Sequence, residues 1–288
     1  MTNLLTTFKN ILSSGIILLL LGNSNIGTAH SVHEHGPNSN TGISPTIDDT
    51  ISAHSKYSQA LTELIDIFHK KEYQTSHLFQ DERFEIYGEI DQRFKRSAER
   101  KSINLEEYKQ ILGFEEKKRR AVTFMQEHSD QLQKAEQEYG ISKYVITAII
   151  GIESDFGQNI GSYNPFNAYV SMYAVGYRAD FAKAQLIELL DFTKRHNIDV
   201  FDLKSSYAGA MSSAQFIPYS LNKWFVGDDI FDMDNNIMSV ANYLAHFQKR
   251  TNDLRTSVLR YNPSGLYADT VLALADEIKQ RQLSTAAR

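Results

Sequence analysis

Tyr139-Gly140-Ile141-Ser142-Lys143-Tyr144-Val145-Ile146-Thr147-Ala148-Ile149-Ile150-Gly151-Ile152-Glu153-Ser154-Asp155-Phe156-Gly157 is the stretch that decides the fold. Gly140 reads as the end of one helix, because glycine adopts the left-handed turn that closes a helix without a Cβ penalty. Ser142 then reads as the cap of a second helix running from Lys143 to about Asp155, with Gly157 opening the loop that follows. That helix is apolar almost all round, a pattern reserved for helices packed on every side. A chain with such a helix at its centre needs other helices to surround it.

Outward from this segment the same period recurs. Tyr57 to Lys71 places Leu61, Leu64, Ile65 and Phe68 on one face, and a second helical segment is expected from Asp81 through Phe84, Tyr87 and Ile90 to Phe94. A short helix over 105–112 closes at Gly113. One long helix is predicted from Phe114 to Tyr139, with the charge run Glu115-Glu116-Lys117-Lys118-Arg119-Arg120 as its solvated face. Further helices are expected over 166–175, 181–196, 235–250, 254–260 and 264–281. Strand alternation is nearly absent, so the fold class is mainly α with little or no β-structure.

The 288 residues suffice for a sizeable core. A net charge of −5 argues against a nucleic-acid binder or a polybasic membrane binder. The absence of cysteine excludes disulfides, a thiol nucleophile, cysteine–zinc sites and a lipidated N-terminal cysteine. The 15 tyrosines beside a single tryptophan supply phenol groups that pack on apolar faces with a hydroxyl left over, a combination suited to sugars, although most tyrosines serve packing alone.

Residues 1–29 read as a secretory signal: Lys9 precedes an apolar run from Ile11 to Leu21, and the segment closes on Gly27-Thr28-Ala29. The run is shorter than the roughly 20 apolar residues of a spanning helix, so no stable membrane span is expected after processing and the product is expected in the periplasm. Residues 30–55 carry turn chemistry and His30, His33, His35 and His54, and are expected to form a flexible polar segment. The folded domain is expected over 56–288.

Glu153 is the residue most able to do chemistry. Burial raises a carboxyl pKa by removing hydration from the charged form, and the partial negative charge at a helix C-terminus acts the same way. A carboxyl kept protonated near neutrality can act as the general acid of glycoside cleavage. A glutamate at a frayed helix end reaching solvent would carry the same sequence position, and position alone does not separate the two. Asp155, two residues on, points elsewhere around the helix, so no local carboxylate pair is visible.

The segment resembles the catalytic helix of lytic murein transglycosylases of the murein transglycosylase B type. The family pattern is matched by Tyr139-Gly140-Ile141 and by Gly151-Ile152-Glu153-Ser154-Asp155-Phe156-Gly157. Further blocks follow in order: Ser206-Tyr207-Ala208-Gly209-Ala210-Met211 with Gln215-Phe216-Ile217-Pro218, then Ser239-Val240-Ala241-Asn242-Tyr243-Leu244, then Arg260-Tyr261-Asn262-Pro263-Ser264-Gly265-Leu266-Tyr267. The resemblance spans roughly residues 75–282. It implies a lysozyme-like helical domain that cuts peptidoglycan glycan strands between N-acetylmuramic acid and N-acetylglucosamine. Glu153 would protonate the leaving oxygen and then deprotonate the 6-hydroxyl of the same sugar, forming a 1,6-anhydro ring without cofactor.

By the same resemblance Ser206 and Asn262 would hydrogen-bond the acetamido group or the glutamate. Gln215 and Tyr261 would line the subsites, with Tyr207 and Tyr177 as further candidates and Tyr267 a packing residue. Two departures stand out. Ser212-Ser213-Ala214 replaces the family's glycines, so a left-handed turn there carries a conformational penalty. Asp232, Asp234 and Asn236 copy the start of a calcium loop, but Ile237 and Tyr243 replace its glycine and glutamate, so a helix cap is expected and no metal site. A hydrolytic muramidase on the same fold and a non-catalytic wall-binding protein are the alternatives.

Overall fold

The computed structural model describes residues 46–98 and 103–286; the expected signal segment and His30, His33 and His35 lie outside the described residues. The described residues form helices and short turns with no strand. In chain order the helices are α1 (Ile47–Ala53), α2 (Ser58–Lys70), α3 (Ser76–Phe79), α4 (Ile90–Ala98), α5 (Leu105–Ile111), α6 (Phe114–Glu127) and α7 (Ser129–Tyr139). Then follow α8 (Lys143–Ser154), α9 (Pro165–Ala174), α10 (Ala179–His196), α11 (Pro218–Trp224), α12 (Met233–Thr251), α13 (Leu254–Tyr261) and α14 (Gly265–Ala286). No described helix is long and apolar enough to cross a membrane.

The decisive stretch behaves as its sequence dictates. Every residue of α8 from Val145 to Ser154 is buried, and α6, α7, α12 and α14 pack around it. Gly140 closes α7 in the left-handed conformation, φ 70°. Ser142 occupies the cap position of α8, but its side chain accepts no capping hydrogen bond. Glu136 supplies the missing acceptor instead, taking the Lys143 N–H at 3.1 Å.

Tertiary contacts bear on three local expectations. Helix α1 lies within residues 30–55, the segment expected to be flexible: a capping box between Thr46 and Asp49 starts it, Thr50 Oγ1 donates to the Phe79 carbonyl at 2.9 Å, and the His54 ring meets Phe84 edge-on at 5.6 Å. The helix expected from Asp81 begins only at Ile90, because α9 claims the backbone groups it would need: Asn167 Nδ2 donates to the Arg83 carbonyl at 2.8 Å, and the Tyr87 N–H donates to Ser171 Oγ at 2.8 Å. The long helix expected over 114–139 breaks at His128, φ −113°, whose ring leans on Phe124 and whose Nδ1 meets Asp234 at 3.0 Å.

Candidate active site

Gly151, Ser154, Asp155 and Phe156 together build the end of α8, where Glu153 lies. Asp155 and Phe156 both take left-handed backbone, φ 53° and 58°. The chain therefore doubles back, with Asp155 N–H donating to the Gly151 carbonyl at 3.2 Å and Phe156 N–H to the Ile150 carbonyl at 3.3 Å, the paired bonds that close a helix in this way. Phe156 then lies on the helix, and a Cβ at Gly151 would come within 2.7 Å of its ring. Ser154 Oγ accepts the Gly157 N–H at 3.0 Å. Asp155 is tied from outside, to Lys117 Nζ at 3.0 Å and to the Arg120 guanidinium.

The charge run 115–120 is therefore not uniformly a solvated face. Lys117 is only 5% exposed, and it falls on the stripe Phe114–Lys117–Ala121–Phe124, where helical spacing places it on the buried side. Burial pushes its ammonium pKa down, against the pull of Asp155. For Asp155, burial raises the carboxyl, but the Lys117 and Arg120 bonds outweigh it and hold it below its ordinary value.

Glu153 itself is 3% exposed. Burial pushes its carboxyl up to about 8, although a hydrogen bond from Tyr267 and the charge of Lys117 act in the opposite direction. Tyr267, expected only to pack, donates its Oη to Glu153 Oε1 at 2.6 Å. Burial, then the Glu153 charge, hold the Tyr261 and Tyr267 hydroxyls well above the ordinary phenol range. Tyr108 is raised for the same two reasons. Burial thus favours the neutral, protonated form of this carboxyl over the charged one.

Backbone pairing ties the second block to the loop that follows α8. Bridges join Tyr163 to Ser205, Ser205 to Met211, and Met211 to Phe216. Gly161, φ 91°, lies so near that a Cβ would sit 2.2 Å from the Ser205 carbonyl oxygen. Ser206 is buried, and its Oγ accepts the Ala210 N–H at 3.2 Å. Gln215 is fully buried; its Nε2 donates to the Ser212 carbonyl at 2.8 Å, while its Oε1 has no partner. Tyr261 Oη donates to the Ala214 carbonyl, which ties α13 to this loop. Asn262 ends α13, and its Oδ1 accepts the Ser264 N–H at 3.2 Å.

Tyr177 and Tyr207 gather around Phe94. Tyr177 stacks on it at 4.5 Å and Tyr207 meets it edge-on at 5.0 Å, with Tyr163 at 6.4 Å from Tyr207. All three tyrosines are half-buried. Phe94 and Tyr163 were not foreseen from sequence, because nothing in their local spacing links α4 to the Ser205 loop.

The expected left-handed turn also falls within this loop: Ser212 has φ 66° and Gln215 φ 51°. The residues suspected of copying a calcium loop have other partners. Asp232 caps α12 through the Asn235 N–H at 2.8 Å, Asp234 meets His128, and Asn236 takes the Ala214 N–H at 2.9 Å. Among the described residues no group of three or more His, Cys, Asp or Glu side chains is placed to hold a metal ion.

Comparison with known proteins agrees with this architecture. The chain is 33% identical over 129 residues to membrane-bound lytic murein transglycosylase B of Escherichia coli K12, an alignment covering 42% of this chain and only 36% of that protein. The soluble lytic transglycosylase SltB1 of Pseudomonas aeruginosa superposes with a TM-score of 0.65 at 25% identity, over 83% of this chain and 99% of that one. SltB3 of Pseudomonas aeruginosa in complex with NAG-NAM-pentapeptide shares the fold, with a TM-score of 0.62 at 20% identity over 81% of this chain and 80% of that one. The description "Transglycosylase SLT domain" matches residues 54–255, more than half of the chain, and the chain belongs to that family.

Proposed function

We propose that this chain is a lytic transglycosylase that cleaves the β-1,4 bond between N-acetylmuramic acid and N-acetylglucosamine in peptidoglycan, with Glu153 as its single acid/base. The observation that carries the reading is the buried Glu153 carboxyl, pushed up to about 8. Its Oε1 accepts from Tyr267, so Oε2 carries the proton. That proton passes to the glycosidic oxygen as the bond to the anomeric carbon breaks, and the N-acetylglucosamine leaves with a free 4-hydroxyl. The now anionic Glu153 takes the proton of the muramic 6-hydroxyl while that oxygen bonds to the anomeric carbon. The enzyme returns to its starting state, and the product is a 1,6-anhydro sugar.

An intramolecular nucleophile enjoys a high effective concentration and needs no activated water. The nearest carboxylate in sequence, Asp155, is held by Lys117 and Arg120, which favours this route over hydrolysis by a carboxylate pair. Ser206 and Asn262 would hydrogen-bond the acetamido group or the glutamate, the buried Gln215 and Tyr261 would support the subsites from behind, and the half-buried Tyr207 and Tyr177 would present ring surface to the sugars. The chain would be exported through residues 1–29 and would act in the periplasm on glycan strands without metal or cofactor. The NAG-NAM-pentapeptide complex belongs to SltB3; here it motivates peptidoglycan as the substrate to test.

Digestion of purified sacculi followed by mass spectrometry decides the matter. The expected products are anhydro-muropeptides, lighter by one water than hydrolysis products. Reducing-end muropeptides would establish a muramidase instead, and no release at all would leave a wall-binding protein.

A further inference from the structure

Away from Glu153, α11 and α12 enclose a surface depression of about 430 Å³ lined by Tyr219, Lys223, Trp224, Asn242, His246 and their neighbours Phe247 and Arg250. The chain's only tryptophan forms its floor. Trp224 meets Tyr219 edge-on at 5.7 Å, His246 at 5.4 Å and Phe247 at 5.5 Å. Asn242 Nδ2 donates to the Trp224 carbonyl at 2.9 Å, which fixes the end of α11 against α12. Trp224 is buried, while Tyr219, His246 and Phe247 are half-buried and leave part of their surface to the depression.

The polar rim has one sign. Lys223 stands 5.9 Å from the centre of the Tyr219 ring, and the Arg250 guanidinium bonds His246 Nε2 at 2.6 Å. Both cations are exposed, and no acidic side chain lines the depression. Burial, together with the nearby Arg250 charge, lowers the His246 pKa, so the imidazole serves as a neutral acceptor that orients Arg250. Aromatic faces bind the apolar face of a pyranose, and unpaired cations at their edge attract a carboxylate.

We propose that this depression is a second carbohydrate site that takes an N-acetylated sugar bearing a carboxylate, the chemistry of N-acetylmuramic acid. The choice of that sugar rests on the reading of the chain as a peptidoglycan-cleaving enzyme. The lining includes none of Glu153, Ser206, Gln215, Tyr261 and Asn262, and the buried rings of Tyr261 and Tyr243, paired at 4.9 Å, and of Tyr243 and Trp224, at 4.8 Å, stand between the depression and the Glu153 neighbourhood. The site would hold a stretch of strand whose muramic acids are free of stem peptide, because a peptide-bearing muramic acid carries an amide where the free carboxylate would be.

Because Trp224 is the sole tryptophan, its fluorescence reports the surroundings of this depression, and the double variant below separates binding here from binding at the Glu153 site. The full chain is titrated with the disaccharide N-acetylglucosaminyl-N-acetylmuramic acid, which lacks the bond to be cleaved. Chitobiose supplies the sugar without the carboxylate, and the dipeptide Ala-Glu supplies carboxylates without the sugar. The expected result is a saturable change with the acidic disaccharide, a much weaker one with chitobiose and none with the dipeptide. The double variant Lys223→Ala/Arg250→Ala, at two exposed positions, is expected to weaken binding about tenfold, as two partly solvated ion pairs would. Equal responses to both disaccharides, a response to the dipeptide, or unchanged binding in the double variant overturns the proposal. Sacculus cleavage with no tryptophan response would remove this site and leave the activity standing; the converse would do the reverse.

Discussion

Tyr267 Oη donates to Glu153 Oε1 across 2.6 Å, and so the last helix of the chain holds the carboxyl at the end of α8. The two residues are far apart in sequence, and both side chains are buried. The bond favours the ionised carboxylate and therefore opposes the upward push of burial.

Tyr267→Phe removes that donor without removing the ring. The Glu153 carboxyl should rise further, moving the alkaline limb of the pH–activity profile to higher pH. The rate should fall by roughly tenfold as the carboxyl loses its fixed orientation. Rates on sacculi measured across pH 5 to pH 10 test this, and an unmoved alkaline limb would show that the bond has no influence on Glu153.

Glu153→Gln tests the same burial through stability. Burial pushes the Glu153 carboxyl up to about 8 from an ordinary glutamate value of 4.5. The neutral form is thus favoured in the native state, and its contribution is complete below the unfolded pKa. That contribution is lost as pH rises through the folded pKa, amounting to something on the order of 4 kcal/mol at the alkaline end. A neutral amide does not titrate, so the variant should gain thermal stability over the parent between pH 5 and pH 9, with little difference at pH 4. Melting curves that keep a constant offset across this range would contradict it.

Two glycines position the Ser205 loop, and two others only turn the chain. Gly161→Ala would place a methyl 2.2 Å from the Ser205 carbonyl oxygen, and Gly209→Ala would place one 2.2 Å from the Tyr169 ring. Gly113→Ala and Gly140→Ala meet nothing within 4 Å, although both have positive φ. Urea unfolding should show losses of about 3 kcal/mol or more for the first pair and about 1–2 kcal/mol for the second. Equal losses in all four would mean that backbone conformation, not close approach, governs this loop.

Ser212→Gly is expected to stabilise the chain. Ser212 holds φ 66°, and its buried hydroxyl has no partner. Glycine relieves both, against a larger entropy loss on folding, for a net gain of about 1 kcal/mol. A lower urea midpoint would count against strain at this turn.

The reading of α8 succeeded because its information is local. An apolar run with glycine before it and Glu153 at its end specifies a buried helix, and the surrounding helices follow from a period of three to four. The helix ends near Gly140 and the mainly helical class needed no partner to be legible. The start of α4 was missed because the backbone at Arg83 and Tyr87 is satisfied by Asn167 and Ser171, a competition between distant groups. The break at His128 likewise depends on Asp234.

By itself the sequence determined the helical class, the apolar run of α8 with Glu153 at its end and the order of the blocks that accompany it, because helix period and turn chemistry are written in neighbouring residues. Only the tertiary structure decided that Tyr267 bonds that carboxyl, that Lys117 turns inward to Asp155, and that Trp224, Lys223 and Arg250 share one depression. Those are pairings between separate helices, and which partner a buried polar group finds depends on how the helices pack, not on the residues beside it in the chain.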